Sequence, residues 1–240
     1  LALEPSGWIQ SLEEKRPVSR DGVPLPWFTY GAIEFLHRIV RPGDVVFEYG
    51  AGYSSLWWQE RVRSLYSVEH DPEWAETLRP RLRENVHLVC HSQEDVFPEQ
   101  WRERTQPFFD RPRRTSWAYD TQKIIRRGLA DESFISYATH ISTLNRKFDF
   151  IVIDGMARRL CVFEAVNHLS ENGFIIFDNS NRRDYDLAYS ILEEQGFVQI
   201  PFWGLVPGAT FMTCTSFFSK SLRRFPQANH VPNSFGLPEY

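Results

Sequence analysis

Apolar and polar positions follow one another along this chain in two rhythms. Short, nearly continuous apolar runs fall at 45–49, 64–69, 86–90, 148–153 and 173–178, with two more at 197–203 and 211–218. Runs of this length, rich in Val, Ile, Phe and Tyr, predict strands, the first five of them buried on both faces of a sheet. Between them the spacing of apolar residues predicts helices. One follows Gly52, and one opens with Asp71 as cap and Pro72 at its first position. Another carries His140 ahead of the fourth strand, and Arg183 to Gln195 form one more that Gly196 stops. Strand and helix alternating in this way predict an α/β fold with a doubly wound parallel sheet. No helix fits between the last two runs, and Pro207-Gly208 lies in their connection, so these two strands pair as an antiparallel hairpin.

The first strand runs straight into Glu48-Tyr49-Gly50-Ala51-Gly52-Tyr53-Ser54-Ser55. Gly50 and Gly52 allow a sharp bend and a close approach of backbone to a ligand, and the amides that open the next helix are expected to face that ligand. The second strand ends in Glu69, 17 residues after Gly52. An acid there can accept hydrogen bonds from both hydroxyls of a ribose. The unit therefore suits a nucleotide-like cofactor, either a dinucleotide or S-adenosylmethionine. The dinucleotide fingerprint G-x-G-x-x-G is incomplete, because Ser55 stands where the third glycine belongs. Glu48 is moreover a poor neighbour for a pyrophosphate and a good one for a sulfonium or an ammonium group.

The pattern E-x-G-x-G at 48–52, followed by V-E-x-D at 68–71, resembles the first two cofactor motifs of the class I S-adenosylmethionine-dependent methyltransferases. That resemblance implies a Rossmann-like, seven-stranded sheet, mostly parallel with a C-terminal antiparallel hairpin, in which the first and fourth strands are neighbours. It implies that Glu48, Gly50, Gly52 and Ser54 seat the methionine part of the cofactor, with Glu69 and His70 at the ribose and Ser92 or Gln93 at the adenine. Asp154, at the end of the fourth strand, would contact the cofactor and prepare the acceptor as the catalytic group. Pro26-Trp27-Phe28-Thr29-Tyr30, Asp154-Gly155 with Arg158, Asp178-Asn179-Ser180 and Thr215-Ser216-Phe217-Phe218 resemble a little-characterised branch of the family, and with them Tyr30 and Arg158 are expected at the substrate.

Asp154, Asp178 and Asn179 also resemble the ligand set of metal-dependent O-methyltransferases of the catechol and caffeoyl-CoA type, which implies Mg2+ as a second cofactor. Hard oxygen ligands suit magnesium, and the ion would lower the pKa of a substrate hydroxyl. The plainer reading leaves Asp154 to cofactor or substrate, while Asp178 and Asn179 cap a turn. One departure stands out: where the catechol enzymes carry a lysine base, three residues after the first Asp, this chain has Ala157. Arg158 and Arg159 follow, and a guanidinium is no base.

Composition fits a single enzyme domain. The 240 residues are 42% hydrophobic and 24% charged, enough for one large core. A net charge of −4 gives no general attraction to nucleic acid or to an anionic membrane. No apolar run nears the roughly 20 residues that span a bilayer. Cys90, Cys161 and Cys214 are widely spaced and odd in number, which reads as reduced thiols in a cytoplasmic protein.

The expected organisation is an N-terminal helical or cap section at 1–44, a methyltransferase domain at 45–220 with an insertion near 97–130, and a tail at 221–240. The insertion interleaves Trp101, Arg102, Arg104, Phe108, Arg111, Trp117 and Tyr119, a mixture that reads either as a solvated basic face over a small satellite core or as a functional surface, for which a substrate lid is preferred over the stacking of nucleic-acid bases. The reading for the whole is methyl transfer to a hydroxyl of a small-molecule or glycan-type acceptor. An NAD-dependent oxidoreductase on a related sheet and a non-catalytic S-adenosylmethionine-binding module are the alternatives.

Overall fold

In the computed structural model, which describes residues 5–96, 98–111 and 131–225, the first four apolar runs are strands with the bounds the sequence implies. They are β1 (Val45–Tyr49), β2 (Ser64–Glu69), β3 (Val86–Cys90) and β4 (Phe148–Ile153). The remaining strands are β5 (Leu169–Phe177), β6 (Val198–Leu205) and β7 (Met212–Ser219). β5 starts four residues earlier than its apolar run. Leu169 pairs with Phe148, and the extra residues up to Phe174, which pairs two residues on with Phe150, bulge out of register. Gly173 sits in that bulge, where a Cβ would stand 2.8 Å from the carbonyl oxygen of Asp149.

The sheet order is β3-β2-β1-β4-β5-β7-β6, with β7 alone antiparallel to its neighbours. This is the α/β, Rossmann-like sheet with a C-terminal hairpin that the motifs imply. Val206 to Ala209 make the hairpin turn, with Gly208 at φ +70° and the Ala209 N–H donating to Val206 O. Because β1 and β4 are neighbours while the chain winds from β1 outward in both directions, a crevice opens beyond their carboxyl ends.

Side chains alternate between the two faces of the sheet. Phe47, Tyr49, Ile151, Ile153, Ile175 and Phe177 face a layer that includes α6 (Ile135–Thr143), α7 (Arg158–Ala165) and α8 (Asp186–Glu194). Val46, Phe150, Val152, Phe174 and Ile176 face the other, made by α2 (Tyr30–Ile39) and α3 (Tyr53–Trp58). α1 (Trp8–Glu14), α4 (Pro72–Leu78) and α5 (Arg102–Phe109) complete the described helices. The N-terminal section is thus more than a cap. Ala32, Ile33, Leu36 and Ile39 form the buried stripe of α2, at the spacing of an amphipathic helix. Phe35 packs edge-on against Phe174 and Phe217 at 5.9 and 5.1 Å. The helix expected over 183–195 opens as a 3-10 turn at Arg183–Tyr185 and ends on Gly196 at φ +75°, whose N–H donates to Glu193 O.

Of the expected insertion, α5 lies within the described residues, and Thr105 and Phe108 bury its inner face. Trp117 and Tyr119 lie outside them. The start of the tail is pinned beneath the sheet. Arg224 donates to both carboxylate oxygens of Asp44, at 2.9 and 2.7 Å, and to Asp149 at 3.0 Å. Cys161 and Cys214 are buried free thiols and Cys90 is half-buried. No helix among the described residues is long and apolar enough to cross a membrane.

Arg224 and Asp44 are only 9% and 4% exposed, so removing the cation strands a buried carboxylate. Arg224→Ala is expected to cost about 3 kcal/mol, read as a lower urea midpoint at an unchanged slope. A midpoint equal to that of the wild type would show that the tail's ion pairs add nothing.

Candidate active site

The turn after β1 is built by its own side chains before any ligand is considered. Gly50 lies at φ +91°, and its N–H donates to Val68 O at 2.9 Å. A Cβ there would come within 2.9 Å of Gly155 Cα, so two strand-end turns touch backbone to backbone at this point. The next amide, of Ala51, donates to Glu69 Oε2 at 2.9 Å, and that of Gly52 donates to Ser55 Oγ at 2.9 Å. These three amides, which precede α3, are therefore turned to the protein. Ser55 Oγ in turn donates to Glu48, whose same oxygen, Oε2, accepts from Ser67 Oγ at 2.9 Å.

Glu48 thus lies under the turn rather than in the cleft. It has no exposed surface, and its other oxygen, Oε1, has no hydrogen-bond partner among the described residues. Burial pushes its pKa up to about 7, against the pull of the serine hydroxyls and with a further push from the charge of Asp154. The role expected for it, direct contact with the cofactor, gives way to bracing the turn, because Ser55 and Ser67 take the oxygen it offers.

Above the turn is a cleft of about 590 Å³, within the range of roughly 300–1,000 Å³ usual for small-ligand sites. It brings together Gly50, Gly52, Ser54, Glu69, His70 and Asp154 from the sequence-derived set. Glu69 joins the elements around it: Oε2 holds the Ala51 amide, and Oε1 accepts from the Asp71 amide at 2.9 Å. His70 Nδ1 lies 2.8 Å from Oε1, and that pairing, ahead of the opposing burial, raises the pKa of His70. Asp71 caps α4 by accepting from the amides of Glu73 and Trp74 at 2.9 and 3.1 Å. The cap places Trp74 on the cleft wall, where its indole N–H donates to Ala51 O at 2.8 Å.

Other expected residues lie elsewhere. Ser92 and Gln93 are exposed beyond β3 and do not line the cleft. His91 N–H is held by Glu69 O, and the chain leaves the rim there. Trp74 and Tyr53 take the positions on the wall instead. Trp74 was legible as the third residue of a capped helix, and Tyr53 as the residue after Gly52. Tyr30 packs against the apolar cluster over the sheet, and burial pushes its phenol up to about 12 despite a hydrogen bond with Ser6. The opposite wall, Glu14 to Pro17 with Trp27, comes from the N-terminal section.

At the end of β4, Asp154 and its surroundings decide the metal question. Arg158 Nε donates to Gly155 O at 2.9 Å, Nη1 to Asp178 O at 2.7 Å and Asn179 Oδ1 at 3.4 Å, and Nη2 to Asp154 O at 3.2 Å and Asp154 Oδ1 at 2.9 Å. All five N–H groups of the guanidinium are engaged. Asp178 Oδ1 accepts from Thr215 Oγ1 at 2.6 Å, and Asn179 Oδ1 also accepts from Arg182 at 3.1 Å. A cation already sits among the three expected ligands, so the donor set does not fit a divalent ion. Among the described residues no cluster of three or more His, Cys, Asp and Glu could hold one. The same bonds leave Arg158 no donor for a substrate. Asp154 retains one oxygen, Oδ2, without a partner among the described residues. Its side chain is 23% exposed to the cleft, and burial raises its pKa against the pull of Arg158.

No protein-family model and no curated protein matches the chain. Among solved structures, a precorrin-8w decarboxylase from Methanobacterium thermoautotrophicum is similar at 15% identity, over 86% of this chain and 97% of that one, with a TM-score of 0.49. A methyltransferase-like protein from Silicibacter pomeroyi is similar at 18% identity, over 82% and 88%, with a TM-score of 0.48. A precorrin-6y C5,15-methyltransferase from Geobacter metallireducens gives 12% identity, 86%, 94% and 0.45.

Two measurements test this geometry. Titration of Mn2+ into the protein is expected to show no micromolar site, and one that is lost in Asp178→Asn would restore the metal. Glu48 titrates near 4.5 when unfolded and near 7 in the fold. The folded chain therefore holds a proton that the unfolded chain has lost, and stability falls as pH rises between these values. At about 1.4 kcal/mol for each pH unit that separates them, Glu48→Gln is expected to be more stable than wild type by about 3 kcal/mol at pH 8 and to converge with it near pH 4.5. Parallel urea midpoints across that range would remove the assignment.

Proposed function

We propose that the chain is an S-adenosylmethionine-dependent methyltransferase acting on a hydroxyl of a small-molecule or glycan-type acceptor, without a divalent metal. The observation that carries the reading is Gly52. Its φ of −178° is extended backbone open to any residue, and a Cβ placed on it meets nothing within 4 Å. Packing does not call for glycine there. A ligand pressed against the backbone does, and Gly52 lines the same cleft as Glu69, His70 and Trp74.

The residues around it divide the work. Glu69 keeps a lone pair on Oε2 for a ribose hydroxyl while its protein bonds hold it rigid. His70 and Trp74 offer ring faces for a base. S-adenosylmethionine bound in the cleft supplies a methyl group on a positively charged sulfur. The acids Asp154 and Glu69 suit that charge, whereas the pyrophosphate of a dinucleotide would face both, with Glu48 beneath. Asp154 Oδ2 holds the hydroxyl of an acceptor and takes its proton as the oxygen bonds to the methyl carbon, while the carbon–sulfur bond breaks and its electron pair returns to sulfur, leaving S-adenosylhomocysteine. Its raised pKa makes it a better base for that transfer than an ordinary carboxylate. Arg158 keeps Asp154 in place through Oδ1. Half-exposed Trp27 gives an apolar acceptor a face to lie on.

The two glycines make a matched test. Gly50→Ala forces a Cβ at φ +91° against Gly155 and is expected to lower stability markedly. Gly52→Ala is expected to keep the thermal midpoint yet weaken S-adenosylhomocysteine, by calorimetry, roughly tenfold or more. Wild-type affinity in Gly52→Ala would remove the observation on which the proposal stands. Asp154→Asn is expected to bind S-adenosylhomocysteine and lose roughly 10²–10⁴ in transfer rate.

A further inference from the structure

The cleft has two electrical sides. Glu69, Asp71 and Asp154 line it from the strand ends, while Lys15 and Arg16 line it from the N-terminal section. The two cations are not equivalent. Arg16 Nε lies 2.5 Å from Glu14 Oε2, an ion pair that neutralises it. Lys15 forms no ion pair among the described residues. Its backbone is left-handed, at φ 52° and ψ 35°, where its N–H closes α1 onto Ser11 O. Glycine would take that conformation at less cost, yet the chain carries there a long side chain that reaches the cleft. The segment is also braced. Ser11 Oγ donates to Val18 O at 2.8 Å and accepts from the Val18 amide at 3.0 Å, tying the two ends of the Lys15 loop together. Trp8 and Trp27 donate from their indoles to Ala209 O and Pro207 O, each at 2.8 Å, and fix the section to the β6–β7 turn.

A free ammonium on a braced wall, facing carboxylates across one cleft, suits a zwitterion. We propose that Lys15 binds the carboxylate of the amino-acid end of the methyl donor, whose ammonium lies on the acidic side of the cleft. This rests on the donor reading above and goes beyond it, because it assigns the N-terminal section a binding role. The backbone that carries Lys15 is braced, so only its side chain is ordered when the ammonium meets a carboxylate in a charge-assisted hydrogen bond.

The test compares two ligands that differ in that end alone. S-adenosylhomocysteine carries the amino acid; 5′-methylthioadenosine keeps the nucleoside and the thioether without it. In calorimetry on the full chain, the wild type is expected to bind both, S-adenosylhomocysteine the more tightly. Lys15→Met is expected to weaken S-adenosylhomocysteine roughly tenfold and leave 5′-methylthioadenosine unchanged, while Lys15→Arg retains most of the affinity. Equal loss for both ligands, or no loss for either, would overturn the role of Lys15 while leaving the donor reading intact. Failure of the wild type to bind either ligand would overturn the donor reading and this inference with it.

Discussion

Everything at the site depends on one backbone contact, that of Gly50 with Asp154 and Gly155. A Cβ on Gly50 would lie 2.9 Å from Gly155 Cα, and one on Gly155 would lie 1.8 Å from the Tyr137 hydroxyl. Three segments, the turns after β1 and β4 and the middle of α6, therefore meet with no room for a side chain. The contact exists because β1 and β4 pair in register, Tyr49 opposite Ile153, so both strands end at the same height. Parallel strands of equal height, followed by turns that diverge, leave the crevice in which Asp154 and Gly52 share a wall.

Burial then separates the carboxylates of the site into different tasks. Glu48, sealed under the turn with two serine donors, can hold the local structure but cannot reach a ligand. Glu69 is almost as buried, yet its two oxygens bond backbone amides of two different strand-end turns, so one residue sets the distance from the glycine turn to the start of α4. Asp154 is bonded through one oxygen only. The more of a carboxylate's capacity the fold uses, the less remains for chemistry, and on that measure Asp154 has the most to offer. Its position next to a buried guanidinium keeps it ionised more readily than burial alone would allow.

Much of this was legible in the sequence, for a physical reason. β1, β2 and β4 lie inside the sheet and are largely buried, so their apolar runs start and stop where the strands do; β3, at the edge and half-buried, keeps the same bounds through Val86, Leu88 and Val89. The residues at their carboxyl ends, Gly50, Gly52, Glu69 and Asp154, inherit their places from the sheet. β5 was less legible because Ser170 to Gly173 has the composition of a loop, and the pairing that makes it strand comes from Phe148 across the sheet. The outward place of Ser92 and Gln93, which do not line the cleft, was illegible for a similar reason: which side chains a strand-end loop turns inward is set by its neighbours, here the hold of Glu69 on His91. The N-terminal wall was least legible of all. Nothing in Glu14 to Pro17 marks a site. Two indole hydrogen bonds to a hairpin turn almost 200 residues later bring it there.

The same logic explains why a ligand pattern can be present without its metal. Asp154, Asp178 and Asn179 converge because β4 and β5 are adjacent, and oxygen atoms brought together in a low-dielectric rim repel one another unless a positive charge joins them. A divalent ion is one such charge. Arg158, the first residue of the helix that follows β4, is another, and it arrives with the fold. Its planar fork reaches five oxygens from two strand ends, a geometry a single lysine ammonium could not match. A metal must be bound anew, and it leaves a coordination site open to substrate; the guanidinium is permanent and closed. The rim is thereby held together without an ion, and one oxygen of Asp154 is left without a partner among the described residues.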